Sequence, residues 1–378
     1  MQANSSADQP KTVLKFLISG IGDEDSLVMI EQPGKLTNSS KQPINDMSAA
    51  MDVLFDTLMN MQLVESIQAT GHRVVHGGSK FHQPVTITDD VEAYLHSVTQ
   101  LAPHHMPSAL QLIAFLRKKL PDCSHVACFD TGFFNAVPRL AQIMAIPRSF
   151  TDEGVRRYGF HGLSYQHLRL SFSKLAGEAA VNGRVVYAHL GSGASLAATK
   201  NGHPVDMTMG FSPASGVMMS SRSGDLDPTL GSYLQQKQGL TAKEYDHMVN
   251  FESGLLGVSG VSHDMQVLIQ EMERQDGAQE AVELFCYQVA KSVASLASTI
   301  GGLDSLIFSG GIGENAPLVR RMVCEQLSYM GIALDDSANQ EHAGLISSVE
   351  SIIGVHTIRS DESQTIAQEV YKLTKNKD

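Results

Sequence analysis

Cysteine is scarce in this 378-residue chain. Cys123, Cys128, Cys286 and Cys324 show neither CxxC spacing nor the density of a disulfide scaffold, so reduced thiols and a cytoplasmic setting are expected. No apolar run approaches the roughly 18–20 residues that span a bilayer, so no membrane segment is expected. The opening MQANSSADQP lacks the basic-then-apolar order of a signal peptide, and none is expected. Positive charge is in deficit: 28 Lys+Arg against 40 Asp+Glu leave a net charge of −12. A pI near 5.6 argues against nucleic acid as the main partner, because phosphate-backbone binding needs a net basic face. No 20–50-residue period repeats, which disfavours solenoids and propellers. No GxxxxGK[ST] string occurs, which excludes a P-loop NTPase as far as sequence can.

What remains is 42% hydrophobic and 18% charged residues, the balance of a globular chain, at a length that suggests two domains or a duplicated one. Short β-branched runs alternate with longer helical patterns, so an α/β fold is expected. The predicted strands are Arg73–His76, Val126–Asp130, Arg184–Leu190 and Ser305–Ser309, each running into a glycine-rich or polar turn. Ligands of open α/β sheets bind at such carboxyl ends. A helix is predicted over Glu280–Ile300, from Val282, Phe285, Val289, Val293, Leu296 and Ile300, and Gly301-Gly302 stops it. A shorter amphipathic helix is predicted over Ser363–Lys375.

HLGSGAS (His189–Ser195) has Gly191 and Gly193 to admit a ligand to the backbone, with Ser192 and Ser195 as hydroxyl donors. That is the composition of a phosphate cradle, and equally of a tight turn. With Leu196 where a third glycine would stand, it is not a Rossmann fingerprint. SGGIGEN (Ser309–Asn315) is a second such turn, with Gly311 and Gly313 able to lie flat against a ring or phosphate, and Glu314 and Asn315 able to start a helix. Two such turns more than a hundred residues apart fit a nucleotide gripped between two lobes. In SSRSGDLDP (Ser220–Pro228), Arg222 sits in a glycine- and proline-bounded loop, where a guanidinium can bind carboxylate or phosphate in a fork; many arginines merely face solvent.

HRVVHGG places His72 and His76 four apart, but on a strand-like stretch without glutamate at 73, so a zinc site is not expected. On a strand Arg73 and Val75 share a face, a cation beside an apolar wall, which suits a small carboxylate with an alkyl tail. RRYGFHG offers His161 in a glycine-flanked loop, as a structural cap or as a chemical group. Asp130 in FDTGFF and Asp361-Glu362 in SDES are candidate helix caps, or acids that hold Mg²⁺ beside phosphates.

In this order HRVVHGG, FDTGFF, RRYGFHG, HLGSGAS, SSRSGDLDP and SGGIGEN resemble the acetate kinase (acetokinase) family of the actin/sugar-kinase/Hsp70 ATPase superfamily, from about residue 16 onward. The resemblance implies two lobes of duplicated ribonuclease-H-like fold with an interdomain cleft, an N-terminal lobe 1–131 completed by 363–378, and a nucleotide-binding lobe 132–362. It further implies a homodimer that reversibly phosphorylates acetate with ATP, giving ADP and acetyl phosphate, and that requires Mg²⁺ (or Mn²⁺). Arg73 and Arg222 match the arginines that bind the acyl carboxylate and the migrating phosphoryl group. His161 matches the histidine that stabilises that group, and Asp130 and Glu362 match the acids that align substrate and metal. Val75, Phe160 and Pro213 match the pocket around the acetate methyl. His189, Gly191, Ser192, Gly193, Gly311, Gly313, Glu314 and Asn315 match the phosphate and adenosine loops, with Asp264, Met265 and Gln266 near the adenosine.

The chain departs from the family pattern at its front. The family opens with a strand and an N-x-G-S-S-S-x-K loop; here stands MQANSSADQPKTVLKF, in which Asn4, Ser5 and Ser6 look similar but follow no apolar strand. Two expectations follow: a start at an internal Met, or a shortened, weakly active or inactive nucleotide-binding paralogue. Without that strand, lower stability and rate are expected. Ser192 stands where Asn is usual, His104 replaces an apolar pocket residue, Gln266 replaces a stacking Arg, and Asp361 replaces a frequent Asn. These changes leave propionate as an alternative acceptor. A sugar or glycerol kinase is disfavoured, because two arginine loops and a short apolar pocket suit a carboxylate better.

Overall fold

The alternation of β-branched runs and helical patterns folds into an α/β structure, a computed structural model that describes residues 10–375. Asn4, Ser5 and Ser6 lie outside the described residues. Two compact units emerge: Met1–Phe129 with Ser363–Asp378, and Asp130–Glu362.

In the first unit β1 (Lys15–Ser19), β2 (Ser26–Glu31) and β3 (Asn38–Gln42) form an antiparallel meander. A second sheet combines β4 (Ala69–Val74), β5 (Val85–Thr86) and β6 (Ser124–Phe129) in the order β4-β6-β5, with β4 parallel to β6. Val74, Ala127 and Phe129 form its apolar face, which Leu95, Met106, Leu110 and Ile113 cover from the helices Asp89–Ser97 and Met106–Lys119. The C-terminal helix Glu362–Lys375 lies close on β4: a Cβ at Gly71 would stand 2.3 Å from Ile366 Cγ2 and 2.8 Å from Val370 Cγ2.

Strand alternation puts Thr70 and His72 on one face of β4, and the register pairs Thr70 with His125 of β6. The Thr70 hydroxyl lies 2.7 Å from His125 Nδ1 and 3.0 Å from His72 Nε2, while His125 Nε2 donates to the Leu120 carbonyl at 3.0 Å. Both imidazoles are buried.

The second unit holds β7 (Arg184–Leu190), β8 (Ala194–Lys200), β9 (His203–Met207), β10 (Ser305–Ser309) and β11 (Gly354–Thr357), in the order β11-β10-β7-β8-β9. The pairs β7–β10 and β10–β11 are parallel, and β7–β8 and β8–β9 antiparallel. Helices bury this sheet on both faces, which is why its central strands read as near-continuous apolar runs. One cover is the 25-residue helix Asp276–Ile300, packed across β7, β8 and β9 and closed by Gly301 in the left-handed region. The other is Gly162–Ala176, whose Tyr165, Leu168 and Phe172 meet Val185, Tyr187 and Ala197.

The strands Arg184–Leu190 and Ser305–Ser309 stand where the sequence places them. The strand expected over Arg73–His76 does not: β4 ends at Val74, because its partner β6 ends at Phe129, the residue paired with it. Val75 therefore shares no strand face with Arg73 and packs on the core cluster around Val74. His76 closes the following turn, its Nδ1 accepting the Gly78 N–H at 2.8 Å. Asp130 lies just past the end of β6, and the long helix begins four residues earlier than expected, at Asp276.

All four cysteines are free; Cys123 is half-buried, and Cys128, Cys286 and Cys324 are buried. Burial pushes the pKa of the Cys128 and Cys286 thiols up to about 12, and raises that of Cys324 as well. Among the described residues no helix is long and apolar enough to cross a membrane.

Candidate active site

Because β7 and β10 run parallel, the turns after Leu190 and Ser309 lie side by side at one edge of the sheet. Gly191 N–H donates to Gly193 O at 3.1 Å, which closes the first turn. In the second, Gly310 adopts a φ of 76°, and a Cβ there would stand 2.6 Å from the Leu190 carbonyl oxygen, so only glycine lets the turns approach.

The Arg222 loop is hooked to the first turn by Ser220 N–H, which donates to Ser192 O at 3.1 Å. Ser223 N–H and the Ser221 hydroxyl donate to the carbonyls of Val249 and Asn250, within the π-helical segment Met248–Glu252. Arg222 Nη1 donates to Pro213 O at 2.6 Å, and a Cβ on Gly193 would stand 2.8 Å from Nη2. The same Cβ would lie 3.2 Å from His161 Nε2, so guanidinium and imidazole meet over Gly193.

His161 opens the helix Gly162–Ala176 with a left-handed backbone, φ 61° and ψ 25°, an uncommon state for a residue with a side chain. The chain is pinned there because Gly162 N–H donates to Asp130 O at 2.8 Å, and a Cβ on Gly162 would stand 2.1 Å from that oxygen. The His161 side chain makes no capping hydrogen bond to this helix. Its Nδ1 lies 2.9 Å from Ser195 Oγ, which is 2.6 Å from Tyr165 OH, and its ring tilts against His189 with centroids 4.8 Å apart. In the same helix Ser164 Oγ donates to Glu362 Oε1 at 2.5 Å. Within this unit, then, Asp130, His161, Arg222, His189, Gly193 and Glu362 cluster around one helix start.

Beside this cluster opens a cleft of about 740 Å³. Of the residues that the resemblance puts at the nucleotide, Gly191, Ser192, Asp264, Met265, Gln266, Gly311 and Asn315 line it. Asp264 also caps its helix, accepting the Gln266 N–H at 2.8 Å. Expected cradle members His189, Gly193, Gly313 and Glu314 are not part of the cleft wall. Glu314 starts no new helix but lies in the last turn of the short one Gly310–Asn315, and its Oε1 accepts from Gly310 N–H, Ser309 Oγ and Ser360 N–H. It braces the turn from behind. Ser195 is likewise turned inward, 1% exposed, and offers no donor to a phosphate. Phe160 is buried at 1% exposure, and Pro213 contributes its carbonyl to Arg222. Arg73, exposed near the end of β4, and Val75 belong to the first unit.

The sequence reading missed Ser220, Ile269, Gln270 and Gln340 in the cleft wall. Ile269 and Gln270 stand three and four residues after Gln266, a helical spacing that signals a shared face. It also missed Arg320. This fully buried guanidinium donates to Gly313 O at 2.8 Å, Glu314 O at 2.9 Å, and Asn339 Oδ1 and O at 2.7 and 2.6 Å. It thereby clamps the second glycine turn to the segment that ends in Gln340. Burial lowers its pKa to about 10, so it stays charged at neutral pH.

Among the described residues no three His, Cys, Asp or Glu side chains converge as a metal cage. A sparse oxygen set such as Asp130 and Glu362 fits a hard cation that draws its remaining ligands from phosphates and water.

A family model described as the acetokinase family matches residues 3–368. The chain belongs to that family. Acetokinases are phosphotransferases with a carboxyl group as acceptor, so this chain is a kinase of that class. An acetate kinase of Rhodopseudomonas palustris (strain TIE-1) is 44% identical over 326 residues, 86% of this chain and 81% of that protein. Two solved structures superpose over 96% of this chain and 93% of their own. One is a propionate kinase from Francisella tularensis subsp. tularensis SCHU S4, TM-score 0.89 and 32% identity; the other is Porphyromonas gingivalis acetate kinase, TM-score 0.86 and 33% identity. The acetokinase fold is thus the two-domain α/β arrangement of actin-like ATPases.

Proposed function

We propose that this acetokinase transfers the γ-phosphoryl group of ATP reversibly to acetate, forming acetyl phosphate, at the cluster around Gly193. The observation that carries the reading is the meeting of Arg222 and His161 over Gly193, beside a cleft walled by both glycine turns. In-line phosphoryl transfer spreads charge over three equatorial oxygens, and catalysis is mainly positioning and neutralisation of that charge. Arg222 stays ionised at any working pH and offers a rigid fork of donors. His161 adds a ring donor on the same side. Acetate is already ionised at neutral pH, so no strong base is required. By motif match Arg73 holds the acyl carboxylate and Val75, Phe160 and Pro213 surround its methyl group. The cleft takes the nucleotide, with Gly191, Ser192, Gly311 and Asn315 toward the phosphates and Asp264, Met265 and Gln266 toward the nucleoside.

Asp130 and Glu362 would hold Mg²⁺ (or Mn²⁺), which neutralises phosphate charge when bound. The chain acts in the cytoplasm as a homodimer in this reading.

Hydroxylamine trapping of acyl phosphate from acetate, propionate and butyrate with Mg-ATP, with sugars as controls, tests it. Acetate turnover that falls about 10²–10⁵-fold in Arg222→Ala supports it. Nucleotide binding without any acyl hydroxamate refutes it, in favour of an inactive paralogue. Faster turnover of propionate moves the substrate, not the site.

A further inference from the structure

We propose that Ser195 and Tyr165 are positioning residues that fix the tautomer of His161, placing its ring proton on Nε2, the nitrogen that faces Gly193 and Arg222. The inference rests on the function proposed above, in which that nitrogen donates to the transferring phosphoryl group.

Tyr165 is fully buried, and its hydroxyl lies 2.6 Å from Ser195 Oγ. A buried phenol that fails to donate leaves its hydrogen unsatisfied, so Tyr165 donates and Ser195 accepts. Burial raises the Tyr165 ionisation well above its ordinary value, so the phenol keeps this proton throughout the working pH range. Ser195 is 1% exposed, and its other hydrogen-bond neighbour is His161 Nδ1 at 2.9 Å. With its oxygen engaged by the phenol, the serine sends its own hydrogen to Nδ1. A neutral imidazole that accepts at Nδ1 carries its proton at Nε2.

The fold fixes the parts independently. Tyr165 follows His161 by one helical turn, and Ser195 stands opposite His189 in the β7–β8 register, two residues beyond Gly193. The relay therefore ties the ring that faces the phosphoryl position to both the helix start and the cradle strand. It also explains a hydroxyl that sequence alone assigns to the phosphate cradle.

The test uses full-length protein labelled with ¹⁵N-histidine, with His161→Gln to assign the resonance. Long-range ¹H–¹⁵N spectra are expected to show His161 protonated at Nε2 and bare at Nδ1. Ser195→Ala is expected to give averaged tautomers, and Ser195→Thr to restore the wild-type pattern. In hydroxamate assays Ser195→Ala is expected to lower kcat about 10–100-fold, the size found for groups that orient a functional histidine, with KM for nucleotide changed less than about 2-fold. Tyr165→Phe combined with Ser195→Ala is expected to cost no more than Ser195→Ala alone, since both act through one hydroxyl. A wild-type His161 protonated at Nδ1, or a Ser195→Ala tautomer identical to wild type, overturns the inference. Wild-type protein that forms no acyl hydroxamate but shows the Nε2 proton sinks the proposed function and leaves the relay standing.

Discussion

Acidification is expected to unfasten the first unit through His72. Burial, with the neighbouring His125 adding to it, lowers the pKa of this imidazole from 6.5 to about 4. The folded chain thus refuses a proton that the unfolded chain accepts below 6.5, so the unfolded state binds more protons between those values and stability rises with pH. The contribution is complete above pH 6.5 and is lost as pH falls toward 4. At 1.36 kcal/mol per unit the full loss is about 3 kcal/mol, of which about 2 kcal/mol is gone by pH 5. For a domain of this size that corresponds to a fall in Tm of about 4–8 °C. Thermal scans of wild type and His72→Gln from pH 7.5 to 5 measure it, the glutamine keeping an amide donor for Thr70 without a titrating charge. Wild type should lose about 2 kcal/mol more than the variant over that range. Parallel curves would refute the assignment to His72.

Further substitutions probe the site and its supports. Gly193→Ala puts a methyl group 2.8 Å from Arg222 Nη2 and 3.2 Å from His161 Nε2; a fall in kcat of about 10²-fold with an unchanged Tm is expected in the hydroxamate assay. Arg320→Met strips the carbonyls of Gly313, Glu314 and Asn339 of their donor; a loss of about 3 kcal/mol or more in urea unfolding is expected, with a raised KM for nucleotide. Gly71→Ala drives a methyl group into Ile366 and Val370, and should cost about 1–3 kcal/mol in Tm-derived stability without changing KM.

Which parts were legible follows from what each residue meets. β7 and β10 are buried on both faces, so VVYAHL and SLIFS announce themselves as apolar runs ending in glycine. β3, with the sequence NSSKQ, carries no such pattern; it exists because β2 pairs with it, a nonlocal cause. The two glycine turns, and the glycine-flanked segments that carry Arg222 and His161, were legible because tight turns need glycine. Ser195 and Glu314 were visible in the sequence, but their internal hydrogen bonds were not. A hydroxyl or carboxylate beside glycines signals a phosphate site or an internal brace equally well, and burial decides between them. Arg320 gave no signal, since an arginine in a helical stretch reads as a solvent-facing charge.

The buried thiols give each unit its own reporter of opening. With thiolate the reactive form, Cys128, Cys286 and Cys324 are inert to alkylation while the chain is closed, and Cys123 is the one partly accessible. Timed alkylation read by peptide mass would therefore date the opening of the first unit from Cys128, and of the second from Cys286 and Cys324, without any label being introduced.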